Sequence, residues 1–269
     1  MSDAIEAVDR LEPRLRDLFA ASLEELLFED KEDASPLGVH WCLFPPTART
    51  SELGADGHPP RRHAVSMDEF PRRMWVGGRL EFHRPLPLGV ALTRTTVLRP
   101  VERKEGRSGA LVLSGFDHEY RADRQLLLSE RQDIVFLPKA VTPSPRPDER
   151  KDAPAPEGQI CRPLRLSEAL LFRYSALTFN SHRIHYDADY ARTEEGYAGV
   201  LAQGPLQATI LLNLAASLLG RAPTRFDYRA RAPLHLGGTA YAFAWAEREV
   251  VHCRIQDRSG RPTMEASAC

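Results

Sequence analysis

The sequence predicts an α+β fold in which antiparallel strands wrap around a buried helix, with two copies of this unit along the chain. Alternating, β-branched runs fill most of residues 79–137, and a Gly-rich turn at residues 105–109 divides them as in an antiparallel meander. One helical segment near residue 210 is apolar on nearly every face, which is typical of a helix enclosed by a curved sheet. At 269 residues, the chain is long enough for two such units.

The N-terminal segment, residues 3–28, is rich in Ala, Leu, Glu and Arg. Its larger apolar residues recur at spacings of three and four, which predicts an amphipathic helix interrupted at Pro13. Residues 41–60 then lack periodicity and contain many turn formers, so we expect a long structured loop. A loop of this length is often functional.

An internal repeat and a linker divide the chain. The segment RFDYRARAPLHLGG, residues 225–238, resembles RLEFHRPLPLG, residues 79–89, which suggests two copies of one strand-rich unit. Residues 138–158 combine Pro with charge and have almost no large apolar residue, so they cannot fold alone. We therefore expect an N-terminal domain over residues 1–137 and a C-terminal domain over residues 159–269, joined by this linker.

The buried helix is predicted over residues 205–219. Gly204 stands at its N-cap position, Pro205 at its first position and Gly220 where a left-handed C-terminal residue belongs. The unpaired N–H groups at its start have partial positive charge and can stabilise a carbonyl oxygen that becomes an oxyanion. Most buried helix starts have no chemical role, so the interest of this one depends on the loop that precedes it.

Composition and charge argue against several classes of function. The formal net charge of -1 gives no overall attraction to nucleic acid or to an anionic membrane. The four cysteines are widely spaced, with no pair at zinc-ligand spacing, and favour a reducing environment without disulfides. No run approaches the roughly 20 apolar residues of a membrane span, and the N-terminus lacks the pattern of a signal peptide. We expect a cytoplasmic protein.

The candidate chemical site is the polar stretch at residues 180–187, which places two histidines shortly before the buried helix. An imidazole with a pKa near neutrality can accept or donate a proton, and the amide of Asn180 can orient water or a carbonyl without titrating. His182 and His185 could instead be surface or packing residues, which is the commoner role of an isolated histidine. They could also bind a metal together with Asp187, but no further well-spaced ligand is present, so we predict no metal.

These residues resemble a known family. The run FNSHRIHYDADYA, followed by GYAGVLAQGPLQA, is similar to the hydratase motif of MaoC-like hot-dog enzymes, in which an acidic residue and Asn-Pro-x-His precede a helix that opens with His-Gly. In the first half, DGHPP, PRRMWVGGRLEF, KEGRSGALV and SERQDIVF resemble the branch of mesaconyl-C4-CoA hydratases and mitochondrial-type 3-hydroxyacyl-thioester dehydratases. The resemblance covers nearly the whole chain. It implies a double hot dog, in which two antiparallel sheets, each wrapped around a helix, form one continuous sheet.

The resemblance also implies roles for individual residues. His185 matches the catalytic histidine of the family, and Gly204 matches the glycine whose N–H contributes to the oxyanion hole. Asn180 stands where the family usually has Asp, and Gln203 where it usually has His, so no carboxylate is available to share water with the imidazole. We therefore expect His185 to be the main acid–base group and Asn180 to orient water or substrate. Gln203 would form a hydrogen bond to one of these two side chains.

Four arginines are candidates for binding a substrate carboxylate or the phosphates of CoA, because guanidinium groups bind both in a bidentate fashion. They are Arg72, Arg73, Arg173 and Arg183. Solvated arginines, or ion pairs that stabilise the fold, explain each of them equally well.

The predicted function is a hydro-lyase that reversibly hydrates an enoyl thioester. The first candidate reaction converts mesaconyl-C4-CoA to citramalyl-CoA, or hydrates a related short branched or dicarboxylic acyl-CoA. Alternatives are a 3-hydroxyacyl dehydratase acting on carrier-protein or CoA thioesters of fatty-acid or polyketide metabolism, a thioesterase, and a non-catalytic acyl-CoA binder, because a fold does not fix its function. We expect no cofactor besides the CoA or acyl-carrier thioester substrate, no nucleic-acid or membrane partner, and a homodimer.

Overall fold

The computed structural model describes residues 4–29, 35–60, 69–106, 109–138 and 160–269. Within these ranges, eleven strands form one antiparallel sheet, and four α-helices lie beside it. The strands are β1 (Ile5–Arg10), β2 (Arg72–Phe82), β3 (Ala91–Leu98), β4 (Glu102–Gly106), β5 (Gly109–Ala122), β6 (Gln125–Leu137), β7 (Ile160–Leu164), β8 (Arg225–Ala230), β9 (Ala240–Glu247), β10 (Val250–Asp257) and β11 (Pro262–Ala268). The helices are α1 (Pro13–Leu23), α2 (Glu168–Leu177), α3 (Ala188–Thr193) and α4 (Gly204–Leu219).

The strand order repeats on the two sides of the sheet centre. From the centre outward, the first half runs β2, β6, β5, β3 and β1, and the second half runs β8, β11, β10, β9 and β7. Each of these strands therefore has a counterpart at the same place in the other half, while β4 is an addition that pairs with β5. The predicted α+β class with one continuous antiparallel sheet is confirmed.

The two copies of the sequence repeat meet at the centre of the sheet, where β2 pairs with β8. Leu80 stands opposite Phe226, its equivalent in the repeat. An antiparallel pair of equivalent residues lies on a local two-fold axis, so each copy presents the same edge to the other. Next to this pair, Arg79 stands opposite Asp227 and the two form an ion pair, with 2.7 Å between Nε and Oδ1. The repeat therefore joins the two half-sheets.

Helix α4 fills the second half of the sheet, as predicted. It packs against β9, β10 and β11, and every residue from 206 to 216 is buried. The helix begins at Gly204 with Gln203 at the N-cap, one residue earlier than predicted, and ends at Gly220 with a left-handed φ of 68°. Because sheet and helix enclose each other, the N-terminal end of α4 is held in a fixed place. None of the described helices is both long and apolar enough to cross a membrane.

The first half is filled differently, and the predicted N-terminal helix is partly wrong. Residues 5–10 form the edge strand β1, which pairs with β3, and helix α1 begins only at Pro13. Between β1 and β2, the described residues contain no helix as long as α4. The 3-10 turn Val39–Cys42 packs on the sheet instead, with Trp41 against Trp75.

The predicted linker, residues 138–158, lies outside the described residues except for Pro138. The domain boundaries at 1–137 and 159–269 therefore stay predictions. The loop predicted at residues 41–60 is irregular, with one 3-10 turn at Thr50–Glu52. Its last part crosses to the second half of the protein and contacts the predicted chemical loop.

Candidate active site

The predicted chemical loop connects α2 with α3, and each of these helices begins with a side-chain cap. Ser167 caps α2 by accepting a hydrogen bond from the Leu170 N–H, at 3.2 Å. Asp187 caps α3 by accepting one from the Tyr190 N–H, at 2.9 Å. Within the loop, Oδ1 of Asn180 accepts the backbone N–H of His182 at 3.0 Å. These local bonds fix the loop backbone from which both histidine side chains project.

His185 is held by one hydrogen bond that defines its chemistry. Its Nδ1 lies 2.9 Å from the backbone oxygen of Leu201. Because a carbonyl oxygen can only accept, Nδ1 has the proton and Nε2 is the basic nitrogen. Burial, and next the neighbouring His182, lower the pKa of His185 to about 3, so the ring is neutral.

The start of helix α4 lies three residues after Leu201, the partner of His185. The first N–H groups of a helix have no acceptor within it, and Pro205 contributes no N–H, so Gly204 and Leu206 provide the first N–H groups at this end. A Cβ at Gly204 would lie 2.6 Å from Cε3 of Trp75. Only glycine therefore allows the Trp75 indole to cover the helix start, which follows the hydrogen-bond partner of His185 along the chain.

Gln203 does not have its predicted partner. Its Nε2 donates to the Leu171 carbonyl at 2.9 Å and to Oγ of Ser175 at 2.8 Å. It thus joins α2 to the start of α4, and it forms no hydrogen bond with His185 or Asn180. The predicted contact was wrong because both hydrogen bonds of the Gln203 amide nitrogen go to residues of α2. Its Oε1 is buried and has no partner among the described residues.

The loop from the first half contributes residues that the sequence analysis missed. The Arg183 N–H donates to the Asp56 carbonyl at 2.9 Å, and the Ser181 hydroxyl donates to the Gly57 carbonyl at 2.5 Å. Gly57 has a φ of 86°, and a Cβ there would overlap the Ser181 carbonyl, so the docking requires glycine. The only signal in the sequence was the Asp-Gly-His spacing within the DGHPP motif.

This docking places a second imidazole beside the chemical loop. Nδ1 of His58 lies 3.0 Å from Oδ2 of Asp56. Burial lowers the pKa of His58 to about 4, although the hydrogen bond to Asp56 acts in the opposite direction. Burial would raise the pKa of Asp56, but hydrogen bonds from the His58 ring and backbone outweigh it and hold that pKa far below its usual range. The pair is therefore an ionised carboxylate bonded to a neutral imidazole.

His182 stands between the two other imidazoles. Its ring centroid lies 4.1 Å from that of His58 and 5.5 Å from that of His185. Its Nε2 lies 3.2 Å from Oε1 of Glu195, and the other oxygen of Glu195 lies 3.5 Å from Nε of Arg72. Together these side chains form the site cluster, which consists of Asp56, His58, His182, His185 and Glu195.

Comparison with known proteins identifies the family. The sequence profile of hydroxyacyl-thioester dehydratase type 2 matches residues 38–236, which is more than half of the chain. The chain belongs to this family. Its membership confirms the predicted enzyme class, a hydro-lyase that hydrates or dehydrates acyl thioesters.

Two curated relatives of the dehydratase family support the same conclusion. The chain is 42% identical over 196 residues to a mesaconyl-C(4)-CoA hydratase of Chloroflexus aurantiacus, with 72% of this chain and 69% of that protein covered. It is 27% identical over 225 residues to a mitochondrial hydroxyacyl-thioester dehydratase type 2 of Schizosaccharomyces pombe, with 73% of each covered.

Solved structures confirm the double hot-dog fold. HtdX of Mycobacterium tuberculosis aligns with a TM-score of 0.70 at 17% identity and covers 99% of both chains. A double hot-dog protein of the same organism aligns with a TM-score of 0.59 at 15% identity, over 99% of this chain and 94% of that one. At these identities the likeness concerns the fold alone.

The four candidate arginines of this dehydratase occupy different places. Arg72 pairs with Glu195 of the site cluster, and its guanidinium lies 5.3 Å from the Tyr197 ring centroid. The charge of Arg73 acts on His58. Arg183 binds Asp187 and the Ala55 carbonyl, so it ties the two loops together, whereas Arg173 points to α1 and donates to the Ala21 carbonyl at 3.3 Å. The structure thus brings Arg72 and Arg73 to the site and directs Arg173 away from it.

One group of side chains could bind a metal ion. Among the described residues, ligand atoms of Asp56, His58 and His182 lie within 4.8 Å of one another. Two of these side chains already bond to each other, and the third bonds to Glu195. The arrangement is therefore satisfied as a hydrogen-bonded network. Absence of a metal and of a cofactor stay predictions.

A second group of histidines lies inside the first half of the sheet. Glu130 is buried and accepts hydrogen bonds from the Tyr120 hydroxyl, the Trp41 indole N–H and the Gln132 amide, at 2.6, 2.7 and 2.8 Å. Burial lowers the pKa of the neighbouring His40 to about 4, with the Glu130 charge opposing. Together these side chains form the core cluster, which consists of His40, Trp41, His118, Tyr120, Glu130 and Gln132.

Proposed function

We propose that this protein catalyses the reversible hydration of an enoyl-CoA thioester, with mesaconyl-C4-CoA as its first candidate substrate. The single observation that supports it most is the bond from His185 to the Leu201 carbonyl, which leaves Nε2 as the basic nitrogen, and the start of α4 lies three residues after Leu201. The 42% identity to a mesaconyl-C(4)-CoA hydratase supports the choice of substrate.

The geometry supports a defined division of roles. The thioester carbonyl oxygen accepts the Gly204 N–H, and the helix end stabilises the negative charge that this oxygen gains. Nε2 of His185 takes a proton from water as the water oxygen attacks the β-carbon, and the α-carbon is then protonated. Oδ1 of Asn180 is occupied by the His182 N–H, so its Nδ2 is the group that can donate to water or substrate.

A second candidate is dehydration of 3-hydroxyacyl thioesters carried on acyl carrier protein. The observation in its favour is the 27% identity to the mitochondrial hydroxyacyl-thioester dehydratase of Schizosaccharomyces pombe. The same acid–base groups serve this reaction, because dehydration is hydration in reverse. The thiol carrier and the acyl group therefore have to be tested directly.

Assembly and location complete the proposal. Edge strand β1 exposes Val8 and Ile5, and an uncovered edge strand favours pairing with a second chain, so the proposed state is a homodimer. The cysteines Cys42, Cys161, Cys253 and Cys269 are all free thiols, which supports a cytoplasmic location. Light scattering of the purified protein measures the assembly.

The deciding experiment follows loss of the enoyl-thioester absorbance with mesaconyl-C4-CoA, crotonyl-CoA and crotonyl acyl carrier protein. Wild type is compared with His185→Ala and with the control His83→Ala. His83 is an exposed histidine directly after β2. General acid–base catalysis contributes roughly 10²- to 10⁴-fold, so His185→Ala is expected to lose that much of kcat while His83→Ala loses none.

Other outcomes reassign the function. Wild type that binds acyl-CoA without turning it over is a binder. Release of free thiol from acyl-CoA makes it a thioesterase. Equal turnover by wild type and His185→Ala removes His185 from the mechanism.

A further inference from the structure

The carboxylate of the chemical loop, Asp187, caps α3 and pairs with Arg183, so it does not share the attacking water with His185. Asn180 cannot accept a proton, and its Oδ1 is already used by the His182 backbone N–H at 3.0 Å. Water that adds to a double bond must be held on line with the β-carbon while one of its protons leaves. A single imidazole acceptor fixes only one of the two O–H bonds.

The loop of the first half supplies another imidazole at this place. His58 and His185 both contact the ring of His182, with centroid distances of 4.1 and 5.5 Å. His182 is only 4% exposed and its Nε2 is bonded to Glu195, so it serves as a spacer between them. The His58 side chain keeps 19% of its surface exposed, and its bond to Asp56 uses Nδ1 only.

His58 and His185 are held in the same tautomer. Nδ1 of His185 donates to the Leu201 carbonyl, and Nδ1 of His58 donates to the Asp56 carboxylate. Both partners are pure acceptors, so both rings present an unprotonated Nε2. Each of the two rings can therefore accept one hydrogen bond from water at its Nε2.

We propose that Nε2 of His58 accepts the second hydrogen of the attacking water and that Asp56 is the positioning residue that holds His58 in this tautomer. The inference rests on the function proposed above and deepens it. The Asp56–His58 pair, from the first half, replaces the carboxylate that the second half lacks at Asn180.

The step balances with both imidazoles neutral at the start and the end. Nε2 of His185 takes one proton from water while the water oxygen bonds to the β-carbon, and the electron pair of the double bond moves to the thioester oxygen at Gly204. The enolate then re-forms the carbonyl as its α-carbon takes the proton from the His185 imidazolium. His58 keeps its hydrogen bond to the remaining hydrogen, which becomes the hydroxyl hydrogen of the product.

The test replaces His58 by phenylalanine, which retains a ring against His182 but has no acceptor. His58→Phe is expected to lose roughly 10²-fold in kcat, with KM within about threefold, because water is misplaced but the thioester site is intact. Asn180→Asp in the His58→Phe background is expected to restore at least roughly 10-fold of the lost kcat, because it returns the acceptor from the other loop. Asp56→Ala is expected to lose kcat and to be rescued in the same way.

The controls separate this inference from the proposed function. His83→Phe changes an exposed histidine of the same half and should leave kcat unchanged. Wild type without hydratase activity overturns the proposed function itself. Full activity of His58→Phe, or a loss that Asn180→Asp does not rescue, overturns the inference alone and leaves His58 with the role of joining the two loops.

Discussion

Two groups of buried histidines lie beside carboxylates in this molecule, and they have different surroundings. The site cluster is assembled from one loop of the first half and from the segments that precede and follow α3 in the second half. The core cluster is built from β5, β6 and the turn Val39–Cys42 of the first half alone. Both contain imidazoles with pKa values lowered by burial, to about 3 for His185 and about 4 for His40.

The difference between them lies in what the carboxylate does. Glu130 of the core cluster is 3% exposed and receives three hydrogen bonds, so its role is to satisfy buried donors and hold the 3-10 turn on the sheet. Asp56 of the site cluster receives one from the His58 ring and leaves the other ring nitrogen available. A histidine–carboxylate pair is therefore reactive or structural according to whether a ring nitrogen stays accessible, and composition does not distinguish the two cases.

The largest expected effect is on stability, when the core cluster loses its carboxylate. Glu130→Ala leaves three buried donors without a partner, so the free energy of unfolding should fall by about 3–5 kcal/mol. Urea unfolding measures this change. Glu119→Ala is the matched control. Glu119 forms an exposed ion pair with Arg121, its neighbour on β5, so the substitution should lower the free energy of unfolding by about 0–1 kcal/mol. Equal losses of unfolding free energy in the two variants would contradict the structural role of Glu130 in the core cluster.

The second-largest expected effect is a pH dependence of the free energy of unfolding that comes from the core cluster. The pKa of His40 is about 4 in the folded protein against 6.5 as its ordinary value, so the unfolded chain binds more protons between these pH values. Stability is thus fully present above pH 6.5 and falls as the pH drops towards 4, with His40 contributing up to about 3 kcal/mol. His40→Leu should flatten this fall, while an unaltered slope would contradict the assignment. His58 and His185 add to the slope in the same direction.

Activity should respond when the start of α4 is displaced. Gly204→Ala puts a Cβ 2.6 Å from the Trp75 indole, so the helix end or the indole has to shift. We expect kcat to fall roughly 10- to 100-fold, with a smaller change in KM, because the oxyanion donor moves. Gly199→Ala is the matched control, since its nearest atom would be 3.9 Å away. Unchanged kcat in Gly204→Ala would separate the helix start from the chemistry.

The smallest effect is expected at Arg173, which lies outside both clusters. Its guanidinium donates to the Ala21 carbonyl on α1 at 3.3 Å. Arg173→Ala should therefore change KM for an acyl-CoA by less than about twofold and the free energy of unfolding by about 0.5 kcal/mol or less. Steady-state kinetics and urea unfolding give both values. A large rise in KM would return Arg173 to the substrate-binding residues.

Local patterns in the sequence determined a large part of this protein. Strand alternation, the apolar helix with its flanking Gly220 and the repeat around Leu80 and Phe226 all depend on neighbouring residues. They predicted two strand-rich copies and a buried helix, while the pairing of the copies at the centre of the sheet is seen only in the structure. The motif loop was equally local, so both His185 and Gly204 were identified as candidates from the sequence. The start of the chain was misread because a short alternating segment such as Ile5–Arg10 fits a strand or a helix until its partner is known. That partner, β3, lies far along the chain.

Only the tertiary structure decided how the site is completed. Ser181 and Gly57 are 124 residues apart, and their hydrogen bond brings His58 to His182. The same holds for Gln203, whose amide was expected at the site and is instead used by α2. The sequence specifies which groups are present, because local propensity and motif spacing are written in neighbouring residues. Which of these groups face one another depends on long-range packing and hydrogen bonding, which no single stretch of sequence contains.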